Sequence, residues 1–152
     1  GIATRVDPVL PSWAGALPPN LRERLLDWML FGQPIFSSME SFFFGHSKPM
    51  DRAVRTSAHN YYIDLAYNFG AAALLPIAVL LGYTATLLRR RRLAGPLPAP
   101  LLWLIGIVAY FILLDSNFKV TLRQPFPGIF AFFLWGLLLA RLRRPVSPAP
   151  GA

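Results

Sequence analysis

The sequence predicts an all-α protein of the polytopic membrane class, with three transmembrane helices in its C-terminal part preceded by an exported segment that carries one interfacial helix. Three observations lead there. Of the 152 residues, 55% are hydrophobic and only 14% are charged, which is too apolar for a soluble domain of this length. Three long runs, residues 65–88, 93–114 and 124–140, contain no charge. Arginines punctuate these runs: Arg89, Arg90, Arg91 and Arg92 close the first, and Arg141, Arg143 and Arg144 close the third.

The N-terminal residues 1–19 are rich in proline and lack a charged segment followed by a continuous apolar core, so they do not read as a signal peptide. Residues 1–60 read as an exported loop, which implies a longer chain with further membrane helices upstream. Asn20 followed by Glu23 is an acceptable helix start, and Leu21, Leu25, Trp28 and Met29 recur at helical spacing. They predict an amphipathic helix over residues 20–31, lying along the interface or packed on an exported core. Residues 32–57 mix Gly, Pro, Ser and Phe without a steady period and read as an irregular loop packed by Phe36, Phe42, Phe43 and Phe44.

The first membrane helix is expected over residues 61–88. Its uncharged part alone would rise about 36 Å against a hydrocarbon core of about 30 Å, and Pro76 is expected to kink it. The second, over 97–116, starts within the GPLPAP stretch. The third, over 126–142, is read either as a short span or as a buried hairpin helix. Residues 145–152 form a Pro-rich tail.

Fifteen Lys and Arg against seven Asp and Glu give a net charge of +8. Their position at the ends of apolar runs points to membrane lipids as the partner and away from nucleic acid. The same bias puts the C-terminus in the cytoplasm, and Lys119, Arg123 and residues 1–60 on the outside. With no cysteine, disulfides and thiolate metal sites are excluded, and no cofactor is expected.

The chemistry-bearing constellation lies where the exported loop enters the first helix. If Ser57 caps that helix, Asn60, Asp64 and Asn68 recur at i, i+4 and i+8 as one polar stripe. His59 then falls in the first turn, where the helix dipole favours a neutral ring able to accept a proton. A histidine in such a place is also an ordinary structural residue.

His59-Asn60, nine residues (YYIDLAYNF) and Gly70 resemble the signature of the O-antigen ligase and O-antigen polymerase-like family of bacterial membrane glycosyltransferases. Arg24, three residues and Trp28, followed by Pro34, are similar to positions earlier in the same periplasmic loop of that family. The resemblance implies an inner-membrane, multi-pass enzyme that transfers a glycan from a polyprenyl diphosphate carrier to a hydroxyl of a lipid A-core or glycan acceptor. It implies His59 as the base, Arg24 as the cation for the departing diphosphate with Arg55 and Arg123 as further candidates, and Asn60 and Asp64 as groups that orient the ring or the acceptor. A polymerase or a protein O-glycosylating ligase would use the same base. A transporter or non-catalytic membrane subunit is the reading from another class.

Overall fold

The computed structural model describes residues 10–46, 58–119 and 121–144. Its described residues are helical, without strands, as expected for an all-α membrane protein. The helices are α1 (Pro19–Ile35), α2 (Met39–Phe44), α3 (Tyr61–Phe69), α4 (Leu75–Ala94), α5 (Ala99–Ala109), α6 (Ser116–Phe118) and α7 (Pro125–Arg143). The chain divides into two compact units, one of residues 1–75 with 117–120 and the other of 76–116 with 121–152.

In the first unit, α1 is longer than the periodicity of residues 20–31 indicated. Pro19 opens it, where its missing N–H costs nothing, and Leu21 N and Arg22 N both donate to Pro18 O. The helix survives Pro34 because only the last turn remains, and because Phe31 and Ile35 are buried. The irregular loop expected over 32–57 is also corrected. Residues 32–35 finish α1, and Ser38 starts α2 by accepting a hydrogen bond from Ser41 N at 3.0 Å. Phe42 joins the core, and Phe36, though 75% exposed, meets the Phe42 ring with centroids 5.7 Å apart, while Phe44 is 79% exposed. Residues 47–57, including Arg55 and Ser57, lie outside the described residues.

The core of this unit gathers Phe31 and Ile35 of α1, Ala58, and Ala66 and Tyr67 of α3, with Leu30, Phe42, Ile63 and Leu74 against it. Phe31 meets Tyr67 edge-on, with ring centroids 5.1 Å apart. Burying apolar side chains of this kind stabilises by roughly 1.5–3 kcal/mol each, which ties α1 to α3.

The first membrane helix is not continuous from residue 61. α3 stops at Gly70, a 3-10 turn Ala71–Leu74 follows, and α4 begins at Leu75. Pro76 therefore sits in the first turn of α4, where it is tolerated, and the break falls at Gly70. Among the described residues, three segments are long and apolar enough to cross a membrane, Ala71–Ala94, Ala99–Phe118 and Pro125–Arg143, as expected of a multi-pass membrane protein.

In the second unit α5 packs on α7, and Ile112, Trp135 and Leu138 are its largest fully buried apolar side chains. Trp135 Nε1 donates to Thr84 Oγ1 at 2.8 Å, and Thr84 Oγ1 donates to Leu80 O at 2.7 Å. Each buried polar group thus has a partner inside apolar surroundings, as it must there. The second span widens into a π-helical stretch, Tyr110–Asp115. Ser116 stabilises the wide turn by donating its hydroxyl to Phe111 O at 2.7 Å.

Candidate functional site

His59, Asn60, nine residues and Gly70 form one capped helix. Asn60 is the N-cap: its Oδ1 accepts from Tyr62 N and Ile63 N at 3.0 and 3.1 Å, and its Nδ2 donates to Asn117 Oδ1 at 3.1 Å. The nine residues are α3 itself. Gly70 is the C-cap, with φ +81°, and a Cβ there would lie 2.0 Å from Phe43 O. Gly45, φ +77°, faces α3 in return, its own Cβ position 2.6 Å from Asn68 O. Two backbones cross where any side chain would intrude, so glycine is required at both positions.

This geometry corrects the placement of His59. It lies one residue before the cap and not in the first turn, because Asn60 takes the capping role expected of Ser57. His59 has φ +50°, alone among the described non-glycine residues in adopting a positive φ. Left-handed backbone costs an L-residue roughly 1–2 kcal/mol. The strain has a visible result: Ala58 and Asn60 are buried on either side while His59 is exposed between them.

The exposed ring lines a cleft of about 220 Å³ together with Asn20, Glu23, Arg24 and Asp27, all on α1. Arg24 Nη1 donates to Phe118 O, and the Trp28 ring lies 6.1 Å from that of Phe118. One arm of the guanidinium is thereby anchored. Asp27 is buried and Glu23 exposed, so an imidazole, a guanidinium and two carboxylates share one small polar cleft.

The structure therefore brings His59 and Arg24 together. Asn60 caps α3 through its carbonyl oxygen, which occupies the group expected to orient the ring or acceptor. Asp64 is buried on α3, and its carbonyl accepts from Asn68 Nδ2 at 2.6 Å. Arg55 lies outside the described residues. Arg123 ends the 3-10 turn Thr121–Arg123 in the second unit. Beside the cap, burial pushes the Tyr61 phenol above its ordinary pKa.

Sequence reasoning missed Glu23 and Asp27. A signal was present: Asn20, Glu23, Arg24 and Asp27 recur at i, i+3, i+4 and i+7, a polar stripe that runs on into the buried Phe31 and Ile35. His46 is held against α3. Its ring stacks on Tyr67 with centroids 4.3 Å apart, its backbone N donates to Tyr67 O at 3.0 Å, and Nδ1 lies 3.2 Å from the same oxygen. Among the described residues, no group of three or more His, Cys, Asp or Glu could hold a metal ion.

No family model matches the chain, and neither does any curated protein or solved structure.

Proposed function

We propose that this chain is the membrane-embedded, acceptor-activating part of a glycosyltransferase of the O-antigen ligase type, acting at the outer face of a bacterial inner membrane. One observation carries the reading: His59, held in a strained backbone conformation, shares a polar cleft with Arg24 next to the helix that enters the apolar segments. Strain of this kind persists where the surroundings enforce it, and clusters at active sites.

In the proposed reaction the His59 imidazole takes the proton of the acceptor hydroxyl as its oxygen attacks the anomeric carbon of the donor glycan. The bond from that carbon to the diphosphate oxygen breaks, and polyprenyl diphosphate leaves with the electron pair. Arg24 meets the negative charge that develops on the leaving group, a role suited to the planar guanidinium donors. Asp27 supplies negative charge to the imidazolium that forms. Neither a metal nor a nucleotide is needed for a lipid-linked donor.

The test is His59→Gln in the protein expressed in its own host. An amide keeps a hydrogen bond but does not accept a proton at neutral pH, and general base catalysis is worth typically about 10² to 10⁴ in rate. The expected outcome is loss of glycan transfer at unchanged protein level, as severe as for His59→Ala. Transfer by the glutamine variant at more than about a tenth of the wild-type rate would refute the base assignment.

A further inference from the structure

The arginines at the far end of the spans are not equivalent. Arg91 Nη1 donates to Arg144 O at 3.0 Å, which brings the arginine clusters of α4 and α7 to the same end of the second unit. Arg143 Nε donates to Tyr83 OH at 2.8 Å, and its guanidinium carbon lies 5.2 Å from the Tyr83 ring centroid. Arg89 and Arg92, in contrast, make no hydrogen bond or ion pair among the described residues.

Both arginines line one cleft of about 610 Å³ between α4 and α5. They stand three residues apart and so share a face of α4. The rest of the cleft is apolar. Ala85 and Leu88 continue the wall on α4, and Leu102 and Ile105 form the wall on α5. From Arg92 to Ala85 is seven residues, roughly 10 Å along the helix axis towards the membrane interior. A shallower recess of about 350 Å³, sharing Arg92, Leu97 and Leu102, extends the mouth past Gly95 and Pro96.

We infer that this cleft is a binding site for one anionic glycerophospholipid, with its phosphate between Arg89 and Arg92 and an acyl chain along Leu88, Leu102 and Ile105. Charge selects the occupant. Two guanidiniums without partners among the described residues, at the membrane-surface end of an apolar slot, match a phosphate with a hydrocarbon chain behind it. Basic pockets between membrane helices bind such headgroups, and each arginine near the surface contributes about 1 kcal/mol. A soluble phosphate would leave the apolar walls uncovered. The site is independent of the reaction proposed for His59, since it needs only that these helices cross a membrane.

Native mass spectrometry of the full chain, released from phosphatidylcholine nanodiscs containing a minority of phosphatidylglycerol, tests the inference. The wild type is expected to retain one phosphatidylglycerol in preference to phosphatidylcholine. Replacing Arg89 and Arg92 together by Gln should lower that preference about thirtyfold, from the contribution of two arginines. Replacing Arg90 and Arg141 by Gln removes the same charge outside the cleft and should leave it unchanged. Ile105→Trp, which fills the apolar part with both arginines in place, should also release the lipid. Equal retention of the two lipids by wild type, equal losses in the two double variants, or retention by Ile105→Trp would each overturn the site in favour of general surface charge.

Discussion

His59 and Arg24 face each other across a cleft because one is forced out of a tight turn and the other is tied to the Phe118 carbonyl by one arm. That arrangement separates stability from activity. His59→Asn puts a residue that tolerates left-handed backbone at φ +50°, so thermal stability is expected to hold or rise by up to about 1 kcal/mol while glycan transfer is lost. Arg24→Lys keeps the charge but gives up the planar fork that can bond Phe118 O and a phosphate together. Transfer should fall by roughly tenfold or more, about the worth of one charge-assisted hydrogen bond, measured at matched protein level; normal transfer would move the diphosphate role elsewhere. His46→Ala removes a stacked ring and its bond to Tyr67 O, and should cost about 1–2 kcal/mol in a melting experiment without a specific loss of transfer. The sequence order around His46 holds no hint of Tyr67, because the contact joins residues 21 apart. The carboxylates of Glu23 and Asp27 were recoverable, since they share the helical stripe of Arg24.

At the scale of elements, hydropathy revealed the three apolar segments but not the break between α3 and α4. The uncharged run passes through Gly70 without interruption, and α3 ends there in a positive-φ C-cap glycine whose position is packed against the Phe43 backbone, far away in sequence. Likewise α2 was hidden in a segment where Ser38 and Gly45 act as caps but the six residues between are too few to show a period. The capped-helix account of the signature makes distinct demands on its residues. Asn60→Ala should destabilise by about 1–2 kcal/mol through loss of the cap. Gly70→Ala should cost about 3 kcal/mol or more, since it combines a positive φ with a backbone collision. Denaturation in detergent, followed by the helical signal, measures both. If Gly70→Ala melts with wild type, the crossing of the two backbones is wrong.

For the whole molecule, apolar length and basic ends point to a multi-pass membrane protein, and the positive-inside bias of the arginine clusters at one end of the second unit predicts its orientation. Reporter fusions after Arg92 and at the C-terminus are expected to read cytoplasmic, and a fusion near Asn117 exported. An exported C-terminus would contradict the outward-facing cleft that the proposed reaction requires. This level was the most legible in the sequence, because membrane insertion depends on composition summed over some twenty residues. A site depends on a few long-range contacts that no local pattern encodes. The central claim, that His59 is the base of a glycan transfer at the membrane surface, is tested most directly in proteoliposomes supplied with a polyprenyl diphosphate-linked glycan and its acceptor. The account predicts that His59→Asn melts at or above the wild-type temperature and transfers glycan at least about 10²-fold more slowly; transfer at the wild-type rate by that stable variant would contradict it.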